Sequence, residues 1–261
     1  MSTRNSFPGW IDCCCFAGMK HLKNLTGLII VLSLFTNSHA QTANFASWLA
    51  TFHTYKVSKK IDVVFDGHLR SGKQVKHIST ILLRPGLSYR FNKSVSVAAG
   101  YALADARREV GELSKLIPEH RLWQHVILRH KIISASTLHR IRLEQRFLPR
   151  VVSRNGSLTH DGYNYANRLR YFTRTVIPLV KKGQFVQGMY GSIQNEVFLN
   201  FGNKSAVNKR IFDQNRLCGA VGYRFSRNLD AEAGYLNQYM TGARGNVTNN
   251  HILQLATYVN L

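Results

Sequence analysis

The stretch LHRIRLEQRFL, residues 138–148, decides the fold. His139, Ile141, Leu143, Gln145 and Phe147 fall on one side of an extended chain; Arg140, Arg142, Glu144 and Arg146 fall on the other. A period of two marks a β-strand, whose successive side chains point to opposite faces. The pattern recurs in 61–70, where Ile61, Val63, Phe65, Gly67 and Leu69 oppose Asp62, Val64, Asp66, His68 and Arg70. It recurs again in 214–225, where Leu217, Val221, Tyr223 and Phe225 oppose Gln214, Arg216, Cys218 and Arg224. Soluble sandwiches alternate too, but with strands of about 5–6 residues. Long strands with one apolar, aromatic face and one charged face suit a barrel with lipid outside and a polar lumen inside.

Working outward, the alternation predicts strands at 44–56, 61–72, 78–91, 94–106, 118–131, 138–150, 163–177, 184–200, 211–226, 229–241 and 249–261. The expected connections alternate in length. Short ones are 57–60, 92–93, 132–137, 178–183 and 227–228; longer polar ones are 73–77, 107–117, 151–162, 201–210 and 242–248. Short periplasmic turns and longer outer loops are usual in such barrels, as is an even strand number. If 249–261 descends to the periplasm, residues 61–261 form ten strands by themselves. The segment NFASWLATFHTYK (44–56) is then an eleventh element, either an irregular strand or a segment in the lumen. The expectation is an all-β, up-and-down antiparallel transmembrane barrel of about ten strands, within a range of 10–12.

An internal repeat supports the register. YRFNKSVSVAAGY (89–101) matches YRFSRNLDAEAGY (223–235) with the same spacing throughout. Each reads as a strand end, a tight polar turn and a new strand, with Tyr89, Phe91 and Tyr101, and Tyr223, Phe225 and Tyr235, on the outer face. Aromatic rings of this kind collect at membrane–water boundaries. The chain ends in HILQLATYVNL, with Leu253, Leu255, Val259 and Leu261 alternating outward. That resembles the terminal strand that the barrel assembly machinery recognises, so this machinery is an expected partner.

Residues 19–40, MKHLKNLTGLIIVLSLFTNSHA, have the form of a signal peptide. Lys20 and Lys23 give a positive n-region, Leu25–Phe35 is apolar but too short to span a bilayer, and Ser38-His39-Ala40 is a small-x-small cleavage site. The expected layout is an upstream extension from a misassigned start over 1–18, a signal peptide over 19–40, and a barrel over 41–261. Cys13, Cys14 and Cys15 lie in the extension, which leaves Cys218 without a partner for an internal disulfide. After Gln41 no run approaches the 18 apolar residues of a membrane helix. The expected location is the bacterial outer membrane, with lipid and lipopolysaccharide as surroundings.

The charge is lopsided: 35 Lys and Arg against 13 Asp and Glu, formally +22. The basic residues are spread over strand-like segments without a nucleic-acid motif, so a nucleic-acid partner is not expected. The inward positions hold Glu119, Arg121, Arg140, Arg142, Glu144, Arg146, Arg168, Arg170, Glu196 and Arg216. Arginine's planar fork pairs bidentately with carboxylates, so this lumenal charge network can brace a narrow barrel. Its surplus arginines suit passage or binding of a small anionic solute; the alternative is a purely structural barrel whose network only fills the interior. An outer-leaflet lipid hydrolase is the rival class. His77-Ile78-Ser79 has the H-x-S spacing of outer-membrane phospholipases and lipid A deacylases. A Ser–His pair also needs a third group to orient the imidazole, and the nearest downstream candidate, Asn92, lies at the far end of that strand. No catalytic residues are therefore assigned. His120, His125, His130 and His139 form no compact set for zinc, and the glycines lack phosphate-loop spacing, so no metal or cofactor is expected.

Several motifs together resemble one family. They are Trp48, then Glu119, Arg121, Trp123 and Gln124, then R-x-R-x-E-Q-R-F at 140–147. They continue with R-x-R-Y at 168–171, N-E-V at 195–197 and D-Q-N-R at 213–216. Over about 45–261 the chain is similar to domain of unknown function family 2490, an uncharacterised set of bacterial outer-membrane proteins. The resemblance implies a barrel and supplies no catalytic residues.

Mature protein is expected to begin at Gln41 and to fractionate with the outer membrane. N-terminal sequencing and sucrose-gradient fractionation test this; residues 1–18 retained, or recovery in the soluble periplasmic fraction, would refute it.

Overall fold

The structure is a computed structural model that describes residues 42–179 and 185–261. The expected extension and signal peptide lie outside the described residues. The strands are β1 (Thr42–Lys56), β2 (Ile61–Ser71), β3 (Ile78–Arg90), β4 (Val95–Val110), β5 (Leu113–Ile132), β6 (Ala135–Arg154), β7 (Ser157–Pro178), β8 (Gly188–Phe201), β9 (Phe212–Ser226), β10 (Leu229–Thr241) and β11 (Val247–Asn260). Each pairs with its sequence neighbour, and β1 pairs with β11, so the sheet closes into a barrel. Closure removes the free edges that would otherwise recruit other strands.

The wall has eleven strands where ten were favoured, because 44–56 is part of it. β1 runs antiparallel to β2 and parallel to β11, in register from Thr42↔Thr248 to Thr54↔Asn260. An odd number of up-and-down strands can close only if one pair runs parallel. The segment looked irregular because it carries aromatic rings on both faces: Phe45 and Tyr55 are exposed, while Trp48 is buried.

The expected loops 107–117 and 151–162 are not loops. β4 and β5 are joined at Gly111-Glu112, and β6 and β7 at Asn155-Gly156. Asn155 and Gly156 have φ of 49° and 70°, the left-handed pair of a type I′ hairpin turn. β7 pairs with β8 only from Asn167 onward, whereas its pairing with β6 continues to Arg154↔Ser157. Both hairpins therefore project past their neighbours at one end of the barrel. The opposite end carries the turns 57–60, 91–94, 133–134 and 227–228, together with Leu261.

The outer face is apolar, with Leu49, Leu83, Leu122, Ile141, Ile193, Leu217, Val221 and Leu255 all exposed. Polar groups on this face pair sideways. Gln124 and Gln145 exchange amide hydrogen bonds of 3.2 Å, as do Asn195 and Asn215. Asn237 donates to Asn249 at 2.8 Å, and Thr257 to Thr51 at 2.9 Å. The internal repeat is also a structural one. Tyr89 and Phe91 meet edge-on at 5.1 Å, Tyr223 and Phe225 at 4.9 Å, and the last tyrosine of each copy, Tyr101 or Tyr235, hydrogen-bonds a histidine on the next strand.

Inside, two apolar islands face each other. One is Ala46, Trp48, Cys218, Leu236 and Ile252; the other is Leu82, Ala98, Ala102, Ala104 and Trp123. Trp123 lies flat against the wall because Gly86 and Gly100 leave room for its ring. A Cβ at Gly100 would sit 2.6 Å from the indole and 2.2 Å from the carbonyl oxygen of Pro85. The indole N–H donates to the carbonyl of Tyr101 at 3.0 Å. Overpacking a filled interior costs roughly 1–3 kcal/mol. Gly100→Val is therefore expected to lower the melting temperature of the detergent-folded barrel, measured by circular dichroism; an unchanged melting temperature would contradict this packing.

Candidate functional site

Midway along the barrel the lumen is filled by charged side chains from β5 to β8. Glu119 accepts from Arg146 at 2.7 and 3.2 Å and from Arg121 at 2.7 Å. Glu144 accepts from Arg168 at 2.6 and 3.0 Å and from Arg170 at 2.5 Å. Arg170 also reaches Glu196 at 2.7 Å, and Arg140 reaches the same oxygen at 3.0 Å. Arg168, Glu144, Arg170, Glu196 and Arg140 thus form one continuous chain across three strands. Glu144, at the centre of this chain, is 1% exposed. Aromatic rings support it from the wall: the guanidinium groups of Arg168, Arg170 and Arg216 lie 5.2, 4.5 and 4.6 Å from the Phe198 ring.

Two of the expected network residues stand apart from it. Among the described residues, Arg142 has no carboxylate nearer than Asp66 at 4.0 Å, and only its Nη2 is hydrogen-bonded, to His125 Nδ1 at 3.1 Å. Its Nε and Nη1 have no hydrogen-bond partner among the described residues, and the guanidinium lies 4.9 Å from the Trp123 ring. Arg216 contacts Gln214 at 3.3 Å and lies 4.9 Å from the Trp48 ring. Arg70 stacks on the same indole at 4.2 Å, with its Nε unpartnered.

Below this layer is a cavity of about 830 Å³ that reaches the turns at the Leu261 end, where Lys56, Lys59, Lys60 and Lys93 stand. Its wall holds thirteen lysine and arginine side chains against three carboxylates, Asp62, Asp66 and Glu196. All three carboxylates are already engaged: Asp62 by Arg90 at 3.0 Å, Asp66 by Arg84 at 2.9 Å, and Glu196 as above. The lumen is thus a cup, open at one end and closed at mid-height.

Sequence reasoning missed this cup. Lys59, Lys60 and Lys93 lie outside any strand alternation, and Arg70, Arg142 and Arg216 differ from the paired arginines only in what stands across the lumen. Trp48 and Trp123 carried the one available signal, since large rings at inward positions must be packed against something. His77 and Ser79 lie at the opposite rim. The Ser79 hydroxyl is within 3.1 and 2.9 Å of the carbonyl oxygens of Arg70 and Ser71. Among the described residues no group of three His, Cys, Asp or Glu side chains is placed to hold a metal ion.

A closed single-layer barrel, apolar outside and packed with paired charges inside, is the class this architecture defines. The chain belongs to the family described as protein of unknown function (DUF2490), whose profile matches residues 45–249. Comparison with curated proteins and with solved structures finds no significant match.

Removing one member of a buried ion pair strands its partner and costs about 3–5 kcal/mol. Glu144→Gln leaves Arg168 and Arg170 short of a carboxylate, so the barrel should unfold at a markedly lower temperature in detergent. A melting temperature within a degree of wild type would contradict the pairing.

Proposed function

We propose that this protein is a bacterial outer-membrane barrel that binds a small anionic solute in its lumenal cup and is not an enzyme. The membrane reading rests on the outer face. The 11 residues of β2, tilted by roughly 40°, rise on the order of 28 Å, close to the apolar band of such barrels. Exposed rings stand near both ends: Tyr55, Tyr89, Phe91, Tyr223 and Phe225 at one, and Phe45, Tyr165 and Phe201 at the other. The lateral pairing of outward Gln and Asn side chains fits a medium in which unsatisfied polar groups are costly.

The observation that carries the anion reading is the surplus of cations in a cup whose carboxylates are already engaged. Closure at mid-height by the buried Glu144 layer favours binding over free passage. A lipid hydrolase is disfavoured by the Ser79 hydroxyl, which is held by backbone carbonyls.

The barrel contains two tryptophans, Trp48 and Trp123, both lining the cup, so intrinsic fluorescence reports on its floor. Reconstituted in planar bilayers, the protein should pass almost no steady current. In nanodiscs its fluorescence should respond saturably to citrate and not to choline. A large ohmic conductance, or a response to the cation alone, would overturn this reading.

A further inference from the structure

Two guanidinium groups without an acid meet on one indole ring. Alternation along β1 turns Trp48 into the lumen, and the β1–β2 register sets Arg70 beside it. The guanidinium carbon of Arg70 lies 4.2 Å from the centre of the Trp48 ring. Arg216 reaches the same ring at 4.9 Å from β9, although β10 and β11 stand between its strand and β1. Its guanidinium also lies 4.6 Å from the Phe198 ring, so two rings hold it in place. Among the described residues, neither side chain is in an ion pair. Arg216 donates through Nε to the neutral amide of Gln214 at 3.3 Å, and the Arg70 side chain makes no hydrogen bond. Both line the 830 Å³ cavity. Other arginines of this wall hold a carboxylate, as Arg84 holds Asp66 and as Arg140 and Arg170 hold Glu196. Arg70 and Arg216 thus put two uncompensated positive charges at one place in the cavity.

Resting on the anion-binding reading above, we infer that Arg70 and Arg216 clamp one compact, doubly charged oxyanion, the phosphoryl group of inorganic phosphate or of a phosphate monoester. Charge decides the class. One carboxylate compensates one guanidinium and leaves the other; a phosphoryl dianion compensates both. Its terminal oxygens also offer enough acceptor sites for the N–H forks of two arginines at once. Rings stacked on a guanidinium cover its face and leave its N–H edge for the ligand. Neither arginine serves an acid of the protein, so replacing one strands no buried carboxylate and the barrel should still fold.

The test is a titration of the nanodisc-embedded barrel with inorganic phosphate, glycerol 3-phosphate, sulfate, acetate and citrate. Tryptophan fluorescence is one readout; the melting temperature, which a bound anion raises by mass action, is the second. Inorganic phosphate should bind at least about ten-fold more tightly than acetate. Its binding should weaken as pH falls through about 6, where the second phosphate charge is lost, whereas sulfate keeps its charge and its affinity. Arg70→Gln and Arg216→Gln should each bring phosphate down to the affinity of acetate. Arg70→Lys and Arg216→Lys keep the charge without the fork and should fall between. Lys93→Gln removes a cup charge at a turn and should change phosphate affinity by less than about two-fold. Glycerol 3-phosphate binding as tightly as phosphate supports recognition of the phosphoryl group alone, and tighter binding supports an esterified solute. Equal affinity for phosphate and acetate would overturn the clamp. So would an equal loss from Lys93→Gln and Arg70→Gln, the mark of a diffuse positive potential. Citrate binding untouched by either arginine substitution, with phosphate no better than acetate, overturns the clamp and leaves the anion reading standing. Indifference of both readouts to all five anions removes both.

Discussion

A closed wall one strand thick offers each side chain only two places, outside or inside, and this constraint shapes everything else in the molecule. The backbone satisfies itself around the ring, so it makes no demand on either face. The side chains then sort by chemistry. Apolar and aromatic residues go outward, and the charges go inward to a space only a few side chains wide. Crowded there, arginines and glutamates must meet one another or remain unsatisfied.

The paired part of the interior and the unpaired part have different consequences. Glu119, Glu144 and Glu196 share the guanidinium groups of Arg121, Arg146, Arg168, Arg170 and Arg140, and this buried ion-paired layer forms a plug. Phe198 and the two tryptophans add flat surfaces against which guanidinium planes lie, an arrangement favourable for a weakly hydrated cation. Below the plug the carboxylates run out before the cations do. The same residue type that closes the barrel at mid-height thus leaves a positive cup beneath it, and the difference is one of stoichiometry.

Much of the wall was legible in the sequence. Residues 61–72, 78–91, 211–226 and 229–241 were expected as strands, and β2, β3, β9 and β10 follow them to within a residue at each end. Alternation over a dozen residues is a strong local signal, and it is stronger still when one face is charged. β1 was harder to read because Trp48 and Phe52 point inward while Phe45 and Tyr55 point outward, so neither face stood out as polar. The projecting hairpins could have been anticipated, since Asn155-Gly156 is a strong turn signal; polar composition alone made 151–162 look like a loop. Which inward residues meet is not a local property. Arg140 and Glu196 are 56 positions apart and two strands removed. Their meeting follows from the register of β7 with both neighbours, which no single strand encodes.

The parallel seam between β1 and β11 has a consequence for how the barrel assembles. It joins Thr51 to Thr257 and Asn44 to Asn250, residues 206 positions apart, whereas the other wall contacts join strands adjacent in the chain. Hairpins form locally and early, but a contact of such separation must wait until the loop-closure entropy of nearly the whole chain has been overcome. Until then the barrel is an open, curling sheet with two bare edges, at its first strand and its last. Among the strand pairings of the wall, closing that seam carries the largest loop-closure cost.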